Sequence, residues 1–375
     1  MSSRPTEMRW DPYIFKQGPE FDSFWREYVA QDSKHYLFLL GRGFDPRALS
    51  ALKKILSFGA QIDVWLLAFD NGFEDSERRI ELTRQNLTEL EGLAGVARIQ
   101  EIEIVLGRSG QGNATSRNVR RALSTAGELN DYTDIVVDIS AMPRMVALTS
   151  VAFLLHELDT LAENTDVNLH VTTAESVSAD IGAARGTLRD DVTNVVGFSG
   201  RLGGESTDQI PRVWFPVLGE QQGIRLNRIR DSLDPDEICP IIPFPTREPR
   251  RGDEIIREHR QQLFEDFQVE PGNILRASEY NPFEAYKQVF WAMDRYRRAL
   301  GELGGCKAFV SPLSSKLLSI GALLACYDHL YGAIGGERMS VGILYVETAD
   351  YSDPIIDDST EFELSSMWLR GDWER

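Results

Sequence analysis

Short apolar runs alternate with stretches of helical periodicity along most of the chain. From Lys34 onward, HYLFLLG (His35 to Gly41) reads as a strand, GRGFDPR as a polar loop and ALSALKKILSFG as a helix. DVWLLAFD is the next strand, and SERRIELTRQNLTELEGL is a helix with apolar residues on one side. IQEIEIVLG, DIVVDIS and VNLHVTTAES continue as strands, separated by the helical patterns TSRNVRRALSTAGEL and VALTSVAFLLHELDTL. Strict alternation of this kind predicts βαβ crossovers and a mostly parallel sheet covered on both faces.

The second half repeats the plan. RVWFPVLG (Arg212 to Gly219) takes the place of HYLFLLG, and EICPIIPFP followed by GDEIIREHRQQLFEDF takes that of DVWLLAFD and its helix. KAFVSPLSSKLLSIGALLACYDHL lies beside VVDISAMPRMVALTSVAFLLHEL, with Lys316 on Arg144, and MSVGILYVETAD lies beside VNLHVTTAES. Several matches in one order point to tandem duplication, and so to an α/β protein of two Rossmann-like domains. The expected division is an aromatic-rich arm (1–33), a first domain (34–180), a linker rich in Gly, Ser, Thr and Asp (181–209), a second domain (210–350) and an acidic tail (351–375). Packing on a domain is the simpler reading of the arm. Trp368 and Trp373 are unusual for a loose, solvated tail.

Length and composition narrow the class. A chain of 375 residues with 42% hydrophobic content is sized for two well-buried cores. No uninterrupted apolar run approaches the roughly 20 residues that span a bilayer, so no membrane partner is expected. The start, MSSRPTEMRWDPYIF, lacks the basic and apolar regions of a secretory signal, and a cytoplasmic location is expected. Cys239, Cys306 and Cys326 form no CxxC pair, which supports neither a disulfide framework nor a zinc site. A net charge of −18 argues against bulk nucleic-acid binding, because neutralising phosphates takes a basic face. It leaves room for a local basic pocket that takes a small anion.

The candidate chemistry sits where the fourth strand ends, in VVDISAMPRMVALTSVAFLL (Val136 to Leu155). In an open parallel sheet ligands gather beyond the carboxyl ends of the strands, where helix N-termini present unpaired N–H groups. Asp138, Ser140 and Arg144 fall there, and a hydroxyl with a guanidinium suits phosphate. Plain helix capping accounts for the same residue types. Arg42, Gly43 and Asp45 after the first strand would form one side of such a site. In the second copy the corresponding residues are Gly219, Gln221, Ser311, Ser314, Ser315 and Lys316. Gly41 and Gly43 fit either close backbone approach or an ordinary tight turn.

Asp138-x-Ser140-x-x-x-Arg144 at the end of a fourth Rossmann-like strand, with GRGFDPR after the first, resembles the signature of CARF domains, the sensory modules associated with CRISPR systems. The resemblance covers the first half. The second half departs from it, with Val310 in place of the Asp and Pro312 in place of the Ser, while the nearby hydroxyls and Lys316 remain. CARF domains pair about a two-fold axis and bind cyclic oligoadenylates or related nucleotides, so the resemblance implies a paired Rossmann-like sensor within one chain. The implied ligand is a cyclic or linear oligonucleotide second messenger of an antiviral defence system, with a protein partner downstream and no cofactor. Some CARF proteins are metal-independent ring nucleases, in which the ligand's own 2′-hydroxyl attacks the phosphate. That activity, and a non-binding adaptor role, stay open beside sensing.

Other motifs carry less. GRSGQGN (Gly107 to Asn113) lacks the Lys-Ser/Thr ending of a P-loop and reads as an exposed loop. The five histidines show no metal-like spacing and read as structural, so no metal site is expected. Glu175, Glu347 and Asp350, at the ends of the fifth strands, read as carboxylates in water.

Overall fold

The computed structural model describes residues 7–31, 34–161, 166–176, 186–199, 210–332, 339–350 and 362–374. The chain divides into two compact units. The first comprises residues 13–187 and 349–375, the second the N-terminal residues to Pro12 and residues 188–348.

In the first unit the strands are β1 (Ile14–Gln17), β2 (Tyr36–Arg42), β3 (Ile62–Asp70), β4 (Val96–Val105), β5 (Asp134–Asp138) and β6 (Asn168–Glu175). Helices α1 (Pro19–Val29), α2 (Ser50–Leu56), α3 (Glu77–Gly92), α4 (Ala114–Ser124) and α5 (Arg144–Thr160) alternate with them. The second unit contributes β7 (Thr193–Ser199), β8 (Arg212–Val217), β9 (Ile241–Pro243), β10 (Leu275–Ala277), β11 (Lys307–Pro312) and β12 (Ser340–Tyr345). Its helices are α6 (Gly223–Leu233), α7 (Arg251–Glu258), α8 (Pro282–Ala299) and α9 (Lys316–Tyr331). The chain then returns to the first unit as β13 (Glu363–Arg370).

The first sheet runs β1-β13-β6-β5-β2-β3-β4, with β13 antiparallel to both neighbours and the strands from β6 to β4 parallel. The second runs β10-β9-β8-β11-β12-β7, parallel except for β7. Ranked by their order in each copy, the parallel strands lie as 3-2-1-4-5 in both units, the Rossmann arrangement. The shared order agrees with the tandem plan read from the sequence.

Local chemistry explains the central elements. The β5 segment DIVVD is buried throughout, as expected for a strand covered on both faces. Helix α5 buries nearly its whole circumference, and Thr149 hydrogen-bonds Ser116 of α4 at 2.9 Å. Helix α9 is likewise buried almost all round, which its sequence LLSIGALLACY permits. Gly321 lies where a Cβ would come within 2.0 Å of the Pro282 carbonyl, so only glycine lets α9 lie this close to α8.

The ends of the chain are packed. Trp10 is fully buried in the second unit, edge-on to Tyr286 with ring centroids 5.4 Å apart. Phe21 and Trp25 of α1 join the core of the first. At the foot of that core the Tyr28 hydroxyl donates to Asp134 Oδ1 at 2.6 Å, beside buried His170. Burial and the Asp134 charge push the Tyr28 hydroxyl pKa far up, and burial lowers that of His170, so both are neutral at pH 7.

The arm and tail are therefore not separate segments, in contrast to the expected division. Residues 7–12 and 14–31 are divided between the units, and the tail supplies β13, which explains Trp368. The linker expected at 181–209 contains β7; residues 177–185 and 200–209 lie outside the described residues, as do 1–6, 32–33, 351–361 and 375.

Candidate functional site

A strand order of 3-2-1-4-5 reverses between its first and fourth strands, and the loops leaving those strands diverge there. In the first unit these are the loops after β2 and β5, and in the second the loops after β8 and β11. The two units use one construction at this point. A Cβ on Gly41, at the end of β2, would lie 3.2 Å from the Ala141 carbonyl. A Cβ on Gly219, after β8, would lie 2.6 Å from the Leu313 carbonyl. At Gly219 a side chain would force the backbone apart, and at Gly41 it would be tight, so in both units a glycine lets the fourth-strand loop fold over the first strand. Gly43 has only an ordinary 3.9 Å contact, so the close-approach reading applies to Gly41 and not to Gly43.

In the first unit the signature residues face inward. Asp138 is 1% exposed and accepts from the Ser140 N–H at 2.9 Å and the Thr172 hydroxyl at 3.0 Å. Ser140 is fully buried, and its Oγ accepts the Ala174 N–H at 2.7 Å. Together they tie the end of β5 to β6, satisfying polar groups that would be costly to bury unpaired. This corrects the expectation that Asp138 and Ser140 present their side chains to a ligand. Asp45 is also committed: it caps the short helix after β2 by accepting the Arg47 N–H at 2.9 Å, and it holds the buried Arg47 guanidinium at 2.8 Å. Arg47 in turn reaches the Ala174 carbonyl at 3.1 Å. Arg42 pairs with Glu101 at 2.7 Å in a half-exposed position. Arg144 is half-buried and opens the first turn of α5.

In the second unit Ser311 is buried and accepts from Trp214 Nε1 at 2.9 Å, a core contact rather than a ligand position. Ser315 caps α9 by accepting the Leu318 N–H at 3.3 Å, and Lys316 is the first residue of that helix. Ser314 differs from the other hydroxyls. It is 6% exposed, sits just before the α9 cap, and its Oγ has no hydrogen-bond partner among the described residues. Gln221 adopts a left-handed φ of 59°, and its N–H donates to Glu258 at 2.7 Å.

Several residues that frame the second site were not legible as such. His259 donates from Nε2 to the Gly219 carbonyl at 2.9 Å and fixes the loop after β8. Arg251 holds Glu220 through Nε at 2.6 Å and Nη2 at 2.9 Å, and holds Glu279 at 2.8 Å. Burial opposes ionisation of Glu220, but the Arg251 hydrogen bonds and charge outweigh it and keep the carboxyl below its usual range. Arg225, at the start of α6, is buried and bonds Val346 O, Gln222 Oε1 and Thr348 Oγ1 at 3.0, 3.1 and 2.8 Å. No local motif marks these residues, because most of their partners are distant in sequence.

The fifth-strand carboxylates also correct an expectation. Glu175 and Glu347 are buried rather than in water, and Asp350 pairs with Arg79 at 3.0 Å. The histidines keep the structural reading: His329 donates to the Phe290 carbonyl at 3.0 Å, and one ring nitrogen of His35 to that of Asp131 at 2.8 Å. Among the described residues no group of three or more His, Cys, Asp or Glu is placed to hold a metal, and no helix is long and apolar enough to cross a membrane.

No protein-family model matches the chain, and no curated protein matches it. Among solved structures it is similar to one provisionally described as a universal stress protein from Pseudomonas aeruginosa UCBPP-PA14, at 11% identity and a TM-score of 0.22, covering 84% of this chain and 92% of that one. It is also similar to the functionally unknown protein PA1789 from Pseudomonas aeruginosa PAO1, at 10% identity and a TM-score of 0.20, covering 82% and 91%. A third is the cytoplasmic domain of a prokaryotic cation chloride cotransporter, at 10% identity and a TM-score of 0.21, covering 85% and 97%. Likeness at this level carries no functional argument; the α/β Rossmann-like assignment rests on strand order.

Proposed function

We propose that the protein is a cytoplasmic sensor that binds a phosphate-bearing nucleotide second messenger, cyclic or linear, and passes the event to a protein partner in a defence system. The resemblance of the Asp138–Arg144 segment to CARF domains supports the ligand class. The observation that carries the reading is the buried Ser314 hydroxyl, unpartnered before the N-terminus of α9 and next but one to Lys316. An orphaned hydroxyl costs free energy to bury, and beside the positive end of a helix and a cation it fits a phosphate oxygen. The second unit is the binding copy in this reading. In the first unit Arg144 stands at the matching helix start, but Asp138 and Ser140 serve the fold.

Calorimetric titration with cyclic and linear oligoadenylates tests the proposal. Saturable binding that Lys316→Ala weakens about tenfold, or about 1.4 kcal/mol, supports it. Absence of binding across the panel, with the protein folded, overturns it. The internal use of Asp138 and Ser140 favours a second reading, an adaptor whose first copy has lost binding. That reading gains if a partner co-purifies while no nucleotide binds.

A further inference from the structure

Apart from the short strands Thr187–Leu188, Glu237–Ile238 and Thr348–Asp350, each copy reads, in chain order, as five parallel strands followed by one closing strand: β2 to β6 and then β7, β8 to β12 and then β13. In space each closing strand belongs to the other unit. Strand β13 lies antiparallel to β6, with Ser365 opposite Thr173 and Ser366 opposite Thr172. Strand β7 lies antiparallel to β12, with Asn194 opposite Leu344 and Thr193 opposite Tyr345. The position filled is the same in both sheets, the outer side of the fifth parallel strand.

We infer that the two copies have exchanged their closing strands, so that the folded chain is the covalent equivalent of a strand-swapped dimer of one ancestral unit. The physical reason lies in the fifth strands. Without a neighbour, β6 or β12 would present a row of unpaired N–H and C=O groups, a ready template for any strand of matching pattern. The two copies share a plan, so either closing strand fits either edge, and reciprocal exchange satisfies both edges at once. Side-chain burial agrees: Met367 and Leu369 of β13 are fully buried, as are Val195 and Phe198 of β7 to within 1%. These strands complete the cores on which they lie.

The inference makes a claim that does not depend on any ligand. A cut within residues 200–209 leaves one fragment carrying β7 and the other carrying β13, each holding a strand of the other's sheet. The test uses the full chain with a protease site placed at residues 204–205 and the pair Thr173→Cys and Ser365→Cys, which face each other across β6 and β13. A parallel variant carries Asn194→Cys and Leu344→Cys, across β7 and β12. After folding, diamide oxidation and cleavage, exchanged strands give a single full-mass band without reductant and two bands with it. The cleaved protein without added cysteines is expected to elute as one species under native conditions and as two in denaturant. Two bands without reductant in both cysteine variants, or separation of the cut protein in native buffer, overturns the inference.

Discussion

The two fourth-strand loops occupy equivalent positions and use their hydroxyls in opposite ways. After β5 the carboxylate and hydroxyl are consumed internally, Asp138 by Ser140 and Thr172, and Ser140 by Ala174. After β11 the carboxylate is absent, Ser311 turns into the core toward Trp214, and Ser314 is left buried with an unpartnered oxygen. The loop that carries the Asp-x-Ser-x-x-x-Arg pattern is the one locked by the fold, and the loop that departs from it keeps a hydroxyl without a partner among the described residues. A motif names residue types at a position; which atoms remain available depends on the neighbouring strand. Thr172 and Ala174, both on β6, decide that for the first unit.

The largest separation between the loops is expected at their glycines. Gly219→Ala forces a methyl into the Leu313 backbone carbonyl and should cost about 3 kcal/mol in urea unfolding, the upper part of the overpacking range. Gly41→Ala meets a carbonyl and a ring edge at 3.2 Å and should cost about 1 kcal/mol. Equal costs would remove the claim that the second loop is the more tightly apposed.

Next come the hydroxyls. Ser140→Ala leaves the buried Ala174 N–H without an acceptor and is expected to destabilise by about 1–3 kcal/mol without altering ligand affinity. Ser314→Ala deletes an oxygen that has no partner, so thermal stability should stay within about 0.5 kcal/mol of the parent while nucleotide binding weakens. Reversed effects would exchange the roles assigned to the two loops.

A smaller effect is expected from pH. The Glu220 carboxyl has its folded pKa held below the unfolded value by Arg251, so its contribution is present above the unfolded pKa of about 4.3 and is lost as pH falls through the folded value. Glu220→Gln should flatten the fall of melting temperature on acidification below about pH 4.5. An unchanged slope would show that the Arg251 pair contributes nothing measurable. The smallest effect is expected from Arg42→Ala: its pair with Glu101 is half-exposed, and breaking it should cost under about 1 kcal/mol.

The sequence by itself determined the α/β class, the duplicated order of strands and helices, and the placing of Arg144 and Lys316 at equivalent helix starts. Those features follow from the period of apolar residues and from local capping chemistry, which act over a few neighbours. Tertiary structure alone decided that Asp138 and Ser140 are internal ties, that His259 and Arg251 brace the loop after β8, and that β7 and β13 close each other's sheets. Each of these depends on a partner tens to hundreds of residues away. A strand's own residues specify that it will pair, while the choice of edge depends on which unpaired backbone the rest of the chain leaves open.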